Sequence, residues 1–461
     1  MTQTVHIEAS PPIGQHVRRI AVLGLPLVGS HLAQFAIQLT DTIMLGWYDV
    51  TVLAGQVLGG TIFFVLFLMG SGFAWAVMPI VASAAASGQE REVRRVTRMA
   101  MWLVTIFAAL AMPLFLFARP ILVAMGQDPE VARLAALYLV IQGWSIFPAL
   151  IVMVLKSYLA ALERTQVVLW VTVASAAANA LFNWVFIFGN LGAPELGIVG
   201  AALASLGSTL VAAIGLILYS WRATPEHAIF FRLWKFDGGA FARVFRLGWP
   251  IGLTSLAEVG LFAGSAVMIG WLGAVPLAAH GIAMQIISVL FMVQIGLSNV
   301  ATIRAGNAYG RADGTDLRRG AAVVVALSLG FAAFSVVLLL SAPRLLIAAF
   351  LDPADPDLPQ VMAIGVGLLA AAALFNVADS AQVVALGLLR GVQDTRVPMI
   401  VAAVSYWIVG MPLAYVLGFP LGLGGAGIWL GMGAGLGLAG AALSWRFWRQ
   451  AAYAVENGQS G

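Results

Sequence analysis

Residues 24–46 read GLPLVGSHLAQFAIQLTDTIMLG, and residues 248–270 read GWPIGLTSLAEVGLFAGSAVMIG. The two stretches align without a gap at an offset of 224 residues, and both begin with Gly-X-Pro and end with Met-X-Gly. Each is an apolar run of about the 20 residues that an α-helix needs to cross a bilayer. The repeat therefore predicts a chain built from two similar membrane-embedded halves.

The composition excludes most other classes of protein. Of 461 residues, 61% are hydrophobic and only 10% are charged, whereas about 25% of a soluble domain is charged. So many apolar residues also exclude a disordered chain. The absence of cysteine excludes a disulfide scaffold, a Cys-ligated metal site and a thiol nucleophile. An integral membrane protein remains.

Apolar runs separated by charge, Pro or Gly predict twelve transmembrane spans. The fold class expected is an all-α integral membrane protein, with twelve transmembrane helices in two pseudo-symmetric six-helix bundles, an N-lobe and a C-lobe, around a central cavity. The predicted spans are 20–46, 53–86, 97–118, 132–160, 166–189, 196–220, 245–271, 277–308, 320–350, 360–389, 397–419 and 422–446.

A second, shifted match supports two halves of six spans. LERTQV at 162–167 pairs with VQDTRV at 392–397, and LGIVGA at 196–201 pairs with LGLGGA at 421–426. Because six is even, both halves enter the membrane from the same side and the repeat is parallel. Such halves with a cleft between them are the architecture of an alternating-access transporter. The alternative is an inert scaffold or an old duplication without transport.

The basic residues predict the orientation of the spans. Of the 24 Lys and Arg residues, only Arg119, Arg133 and Arg344 fall on the less basic side of the membrane, and short cytoplasmic loops are enriched in Lys and Arg. Both termini are therefore expected to be cytoplasmic. The pI of about 9.6 follows from this topology and requires no nucleic acid partner.

The predicted organisation has five parts. They are a cytoplasmic N-terminal tail at 1–19, the N-lobe at 20–220, a basic inter-lobe loop at 221–244, the C-lobe at 245–446 and a cytoplasmic C-terminal tail at 447–461.

Three acidic residues lie inside predicted spans, namely Asp41, Glu258 and Asp379. An aspartate at mid-membrane disfavours insertion by about 2.5–3.5 kcal/mol, so such a residue is expected to face the bundle interior and to have a function. A buried carboxyl can bind a cation or exchange a proton. The alternative is a neutral carboxyl that only holds helices together.

The first span carries a polar stripe, because His31, Gln34, Gln38 and Asp41 are spaced by three, four and three residues. His31 is either a buried hydrogen-bonded imidazole or a group with a relay or substrate role.

In the fifth span Asn179 and Asn183 share one face. Beside Asp41 they would form an all-oxygen pocket for a small hard cation, and the alternative is interhelical hydrogen bonding.

The second half also has polar stripes on its spans, but its acidic residues lie at other depths along the helices. Ser255 and Glu258 lie on the seventh span, and Asn376, Asp379 and Ser380 share a face of the tenth.

Pro26 and Pro250 occupy equivalent positions near the start of spans one and seven. A proline frees a backbone carbonyl and kinks a membrane helix, so both helices are expected to bend, either permanently or during a transport cycle.

These motifs resemble those of the multidrug and toxic compound extrusion (MATE) family, in its NorM-like branch. The resemblance covers essentially the whole chain. The matching segments are GLPLVGSHLAQFAIQLTDTIMLG (24–46), ANALFNW (178–184), RLGWPIGLTSLAEVGLFAGSAVMIGWLG (246–273), ATIRAGNAYG (301–310), LFNVADSAQ (374–382) and LLRGVQDTRVPM (388–399).

The resemblance implies a transporter that exports cationic, often aromatic drugs in exchange for sodium ions or protons. It implies an N-lobe cation site at Asp41, Asn179 and Asn183 and a C-lobe site at Glu258 and Asp379, all candidate sodium ligands. Family members often have a tyrosine one turn before the aspartate of span ten, where this chain has Phe375, so one oxygen ligand is missing there.

The expected function is a cation-coupled multidrug efflux antiporter. Neither lysine follows a GxxxxG motif, and HExxH and GxSxG are absent, so no ATPase or hydrolase chemistry and no cofactor beyond the coupling ion are expected. The alternatives are a flippase for lipid-linked precursors and, from another class, a channel or receptor. The expected partners are drugs and membrane lipids, and the expected state is a monomer in a bacterial inner membrane, since Arg greatly outnumbers Lys as in high-GC genomes.

Overall fold

The computed structural model describes residues 13–351 and 358–451, so most of both predicted tails lies outside the described residues. Twelve of its helices are long and apolar enough to cross a membrane. In chain order, α1 to α12 are Gly14–Tyr48, Val50–Ala86, Glu90–Leu116, Pro129–Ala161, Thr165–Phe186, Ile198–Ala223, Gly238–Gly270, Ala274–Gly310, Gly314–Ser341, Leu358–Gly391, Arg396–Gly418 and Gly424–Arg449.

The twelve predicted spans are confirmed, with one helix for each. The shortest, α5, has 22 residues and is therefore about 33 Å long, enough for a hydrocarbon core of about 30 Å. Several helices extend beyond the predicted apolar runs because polar groups cap them. For example, α7 begins at Gly238, where Asp237 Oδ1 accepts the backbone N–H of Ala240 at 3.0 Å.

The predicted ninth span, 320–350, is divided in the structure. The helix α9 ends at Ser341, and a separate short helix follows at Pro343–Ala348. Pro343 has no N–H to donate to α9 and fits the first turn of a new helix, which explains the break.

Three spans contain irregularities away from their ends. In α2 the regular helix is interrupted at Ala76, α4 contains a 3₁₀ turn at Gly143–Ser145, and α11 contains a π-helical stretch at Val404–Gly410. A π-helical stretch often marks a functional site, because it redirects side chains without ending the helix. Pro26 and Pro250 lie inside α1 and α7, which continue through them; a bend at either remains a prediction.

The same helix pairings occur in both halves. In the first, α2 packs on α4 and α5 packs on α6; in the second, α8 packs on α10 and α11 packs on α12. The chain therefore forms two equivalent six-helix bundles, α1–α6 and α7–α12, called below the N-lobe and the C-lobe.

The two lobes pack on each other near the end of the molecule that carries most of the arginines, called here the basic end. The contact of α1 with α8 has its symmetry equivalent in the contact of α7 with α2, and α2 also meets α8 directly. Glycines permit the close approach: a Cβ on Gly72 would lie 2.4 Å from the nitrogen of Gly252, and one on Gly296 would lie 2.4 Å from Cγ2 of Val28. The lobes therefore meet through glycine-lined surfaces.

Candidate functional site

The N-lobe site is a hydrogen-bonded group around Asp41, whose residue is only 7% exposed. Nδ2 of Asn183, on α5, donates to Oδ1 of Asp41 at 2.6 Å and to Oδ1 of Asn179 at 3.2 Å. From α6, Oγ of Ser205 donates to Oδ2 of Asp41 at 3.3 Å. The structure thus brings together the three predicted N-lobe residues and adds Ser205, which sequence reasoning missed.

The geometry of this site differs in one respect from the expected all-oxygen pocket. The amide nitrogen of Asn183, not its oxygen, faces the carboxylate, so Asp41 is held by donors. Oδ1 of Asn183 and Nδ2 of Asn179 are buried and have no hydrogen-bond partner within the described ranges. One amide oxygen therefore remains available to a cation, and the other already accepts from Asn183.

The C-lobe site combines two acids from different helices. Asp379 on α10 is fully buried, Glu258 on α7 is half-buried, and the two carboxyl groups act on each other electrostatically. The structure thus places the two predicted C-lobe acids within electrostatic range of each other. Arg390, at the end of α10, acts electrostatically on Glu258, although it was expected only as a topology signal.

Polar side chains from three helices form a hydrogen-bonded chain that includes Ser380, the residue next to Asp379. Nε2 of Gln294, on α8, donates to Oγ of Ser380 at 2.7 Å, and Oγ of Ser328, on α9, donates to Oε1 of Gln294 at 2.7 Å. Oγ of Ser380 in turn donates to the carbonyl of Asn376 at 2.6 Å. Ser380 and Asn376 were predicted, whereas Gln294 was missed; an amide in mid-span is the signal that would have found it.

A buried tyrosine from the π-helical stretch of α11 also belongs to this region. The hydroxyl of Tyr406 accepts a hydrogen bond from Nε2 of Gln382 at 2.6 Å. Tyr406 also interacts electrostatically with both Glu258 and Asp379. Sequence reasoning missed both Tyr406 and Gln382. The π-helical register that places Tyr406 has no sequence signature as simple as helical periodicity.

An aromatic cluster surrounds Phe375, one turn before Asp379. The ring of Phe375 packs edge-on against Trp429 at 5.1 Å and against Phe262 at 5.9 Å between centroids. The side chain one turn before Asp379 is therefore an apolar ring that offers no oxygen ligand.

Several buried oxygen atoms of the C-lobe site lack a partner in the part of the chain that the structure describes. They are Oδ1 of Asp379, Oδ1 of Asn376 and Oε1 of Glu258. A buried polar atom without a partner is unfavourable and calls for an explanation. These three oxygens, on α7 and α10, are of the kind that a hard cation prefers as ligands.

The members of the polar stripe of α1 have three different sets of partners. Asp41 belongs to the N-lobe site, whereas Nε2 of His31 lies 3.0 Å from Nδ2 of Asn299 on α8 of the C-lobe. Between them, Oε1 of Gln34 accepts from Nζ of Lys156 at 3.4 Å.

The remaining members of the predicted stripes have simpler surroundings. Gln38 is exposed, and the buried Ser255 donates to the carbonyl of Ile251 at 3.2 Å, within its own helix. The predicted stripe on α1 is therefore not one continuous binding surface.

Among the described residues, no group of three or more His, Cys, Asp or Glu side chains could hold a metal ion. A cation at either site would therefore bind one or two carboxylates together with amide oxygens. That donor set suits a singly charged hard ion better than a transition metal.

A protein-family model named MatE matches the chain twice, at residues 26–185 and 250–416. The two matches start 224 residues apart, which is the offset of the internal repeat. The chain belongs to the MatE family. Curated relatives agree along nearly the full length of this MatE protein. "Probable multidrug resistance protein NorM" of Rhizobium meliloti (strain 1021) is 44% identical over 94% of this chain and 93% of the relative. The protein of the same name from Agrobacterium fabrum is 40% identical over the same shares of the two chains.

Solved MATE structures share the fold of this MatE chain. A eukaryotic MATE transporter, AtDTX14, superposes with a TM-score of 0.84 at 17% identity, over 97% of this chain and 99% of that one. A structure described as an outward-facing conformation of a multidrug resistance MATE family transporter gives a TM-score of 0.86 at 17% identity, over 97% and 100%. The MatE family consists of transporters, so the chain is a transporter and not an enzyme.

Proposed function

We propose that this MatE-family chain is a multidrug efflux antiporter that exports cationic, often aromatic compounds in exchange for sodium ions, protons or both. The observation that carries the proposal is a buried acidic site in each lobe, with oxygen atoms that have no partner among the described residues. Buried acids in a transporter mark an ion pathway or a proton relay. The relatives named multidrug resistance proteins support a drug as the cargo.

Coupling would work through the equilibrium between two arrangements of the lobes. A ligand shifts such an equilibrium only by the difference between its affinities for the two states. Cation binding at Asp41, or at Glu258 and Asp379, would favour one arrangement, and drug binding between the lobes would favour the other. The glycine-lined contacts at the basic end are the surfaces that would separate in such a change.

The predicted location and organisation form part of the proposal. The basic end would face the cytoplasm of a bacterial cell, with both termini on that side of the inner membrane. The lobes would have the borders 20–220 and 245–446, and the protein would act as a monomer with lipids and drugs as partners.

A flippase for lipid-linked precursors has weaker support. A pyrophosphate carries several negative charges and requires a cluster of Arg or Lys donors. Lys156 contacts the polar stripe of α1 at Gln34, but a single amine is not such a clamp. A channel is also disfavoured, since paired lobes with separate acidic sites suit discrete states.

Transport by reconstituted protein tests the proposal. Proteoliposomes would be loaded with a cationic aromatic dye, and dye movement would be followed under an imposed sodium gradient or an imposed pH gradient. We expect at least one gradient to drive the dye against its own concentration difference. We expect Asp41→Asn, Glu258→Gln and Asp379→Asn to reduce this coupled transport severely, because each removes a buried carboxyl that could bind a cation or exchange a proton.

Glu130→Gln is the matched control, because Glu130 is an exposed acid paired with Arg133. It should transport like the parent chain. Failure of both gradients to move dye would reject the antiporter, and full transport by all three acid variants would reject the assignment of the sites.

A further inference from the structure

The segment between the lobes, residues 225–237, folds as a hairpin against α3 and is called here the inter-lobe hairpin. Arg94 donates to the carbonyls of residues 226 and 227, and Arg98 donates to those of residues 228 and 229, at 2.6–3.3 Å. One turn further along α3, Nε1 of Trp102 donates to the carbonyl of Leu233 at 2.7 Å. Three successive turns of α3 therefore hold residues 226–233, called here the descending arm of the hairpin.

The returning arm, residues 234–237, ends at Asp237, which lies beside the same part of α3 as the start of the descending arm. Nε of Arg95 donates to Oδ2 of Asp237 at 2.5 Å, and the backbone N–H of Asp237 points to Sδ of Met99 at 3.1 Å. The hydrogen bond from Arg95 holds the pKa of Asp237 below its ordinary value, so this contact is an ion pair at neutral pH. Both arms are thus fixed to α3, and the tip of the hairpin projects along it.

The depth of the hairpin tip, around Leu233, in a bilayer can be counted along α3. Trp102 lies five residues beyond residue 97, where the apolar run of α3 begins, and five residues of helix correspond to about 7.5 Å. Interfacial segments of membrane proteins insert their apolar faces by about 5–10 Å. Counted from the predicted start of the apolar run, Leu233, held by Trp102, is expected at the depth of the boundary between headgroups and acyl chains.

Apolar side chains around the tip are largely exposed. Trp234 is 77% exposed, and Phe231 and Phe236 are each more than half exposed. The neighbouring face of α3, which a membrane helix presents to lipid, continues with the exposed Ile106 and Leu110. Tryptophan and other aromatic side chains are characteristic of this level of a bilayer.

Two cations alternate with these aromatic residues. Cζ of Arg232 lies 5.1 Å from the centroid of the Phe231 ring, and Lys235 follows Trp234 directly. Arg98 is buried, with its guanidinium on the hairpin carbonyls, so Arg232 and Lys235 supply the positive charge at the surface of the hairpin. Long basic side chains can extend from such a position to lipid phosphates.

We propose that the inter-lobe hairpin is a membrane anchor: its aromatic residues insert into the leaflet at the basic end, and Arg232 and Lys235 bind the phosphate groups of anionic phospholipids. The depth, the exposed aromatic side chains and the alternating cations together select an anionic lipid surface. Since the hairpin docks on α3 of the N-lobe and leads directly into α7 of the C-lobe, the lipid is bound at the junction of the lobes. This proposal does not depend on drug export.

Site-directed spin labelling measures the depth of the hairpin. The chain has no cysteine, so Trp234→Cys creates a single labelling site in the full-length protein. In POPC vesicles containing a minor fraction of POPG, we expect this label to collide readily with oxygen and poorly with a water-soluble nickel complex. Gln89→Cys is the matched control, because Gln89 is exposed at the basic end just before α3 and should show the opposite preference.

Lipid affinity tests the two cations. Each basic residue near an anionic surface strengthens binding about fivefold, so Arg232→Gln with Lys235→Gln should weaken POPG binding to the purified protein by more than tenfold, measured by native mass spectrometry against POPC. Arg18→Gln with Arg19→Gln removes the same charge from exposed positions of α1 at the same end and should have a smaller effect.

The outcomes separate the parts of the proposal. A label at 234 as accessible to nickel as the label at 89 would overturn the anchor. Equal loss of POPG affinity in the two double variants would overturn the headgroup site. Shielding of position 234 from both reagents, together with cross-linked dimers, would instead identify a second copy of the chain as the occupant and would also overturn the proposal.

Discussion

At the scale of single residues, Asn183 organises the N-lobe site through one amide group. Its nitrogen donates to both Asp41 and Asn179, and its oxygen has no partner among the described residues. Asp41 is therefore held by a short hydrogen bond from Asn183 and a longer one from Ser205. The two hydrogen bonds differ enough in length that mutation should distinguish their contributions to stability.

Asn183→Ala should destabilise the protein more than Ser205→Ala. The first removes the 2.6 Å donor of a buried carboxyl, where a hydrogen bond to a charged group contributes about 1.5–3 kcal/mol; the second removes a 3.3 Å contact that contributes about 1 kcal/mol or less. Thermal unfolding followed by tryptophan fluorescence measures both. Asn190→Ala is the control, since Asn190 contacts an exposed carbonyl. Equal losses for Asn183 and Ser205 would contradict this ranking.

At the scale of elements, two contacts define how helices and loops of the basic end fit together. The first is the contact of α2 with α7, which glycines bring within backbone distance. The second is the docking of the inter-lobe hairpin on α3 and α4, where the hydroxyl of Tyr158 lies 2.5 Å from Nδ1 of His227.

Gly72→Leu should separate α2 from α7. Even a Cβ at Gly72 would lie 2.4 Å from the nitrogen and 2.6 Å from Cα of Gly252, and overpacking of this kind destabilises a contact by about 1–3 kcal/mol. Spin-label distances between the lobes at the basic end should lengthen. Gly330→Leu is the control, because a Cβ there meets nothing within 4 Å. Unchanged distances in the Gly72 variant would show that the contact does not hold the lobes together.

The docked hairpin should loosen in acid because of His227. Burial lowers the pKa of His227, and Arg164 and Arg94 lower it further, while Glu226 and Glu90 oppose them. An undocked imidazole takes up a proton below its ordinary pKa of about 6.5. Docking stability is therefore complete above that pH and declines as the pH falls towards the lowered pKa of the folded state.

Hydrogen exchange of residues 225–237, corrected for intrinsic rates, should be faster at about pH 5.5 than at about pH 7.5. Asp237 stays ionised over this interval, because its pKa is lowered by Arg95. His227→Gln is the control and should remove the pH dependence. If the dependence persists in that variant, another group is responsible.

At the scale of the whole molecule, the lobes are joined at the basic end by side chains as well as by glycine surfaces. His31 meets Asn299, and Nη1 of Arg243 donates to Oε1 of Glu92 at 3.0 Å. Each contact links one residue of α1–α6 to one of α7–α12. A cycle that opens this end must break them together.

Cross-linking His31→Cys to Asn299→Cys with a short bifunctional methanethiosulfonate should stop transport, and a reductant should restore it, since the link holds the lobes in one arrangement. The absence of native cysteine makes the reaction specific. Ser30→Cys with Thr172→Cys is the matched pair, because their hydroxyls are 3.1 Å apart within the N-lobe. Dye transport measures the effect. Continued transport after complete inter-lobe cross-linking would exclude separation of the lobes at this end.

Most of the fold could be predicted from the sequence, but only part of the site. Span positions follow from local hydropathy, and Asp41, Glu258 and Asp379 stand out because charge is rare in apolar helices. Ser205 carried no comparable signal, since serine is common in membrane helices. Tyr406 was missed because its position depends on the π-helical stretch of α11, which simple periodicity does not reveal.

The sequence by itself determined the twelve helices, the two halves and the acids inside them, because hydropathy, charge and the repeat are written in runs of neighbouring residues. Only the tertiary structure decided which groups meet. Asp41 and Asn183 are 142 residues apart in the chain, and His31 and Asn299 are 268 apart. Such contacts depend on the rotation and depth of each helix against its neighbours, and packing between distant segments fixes both.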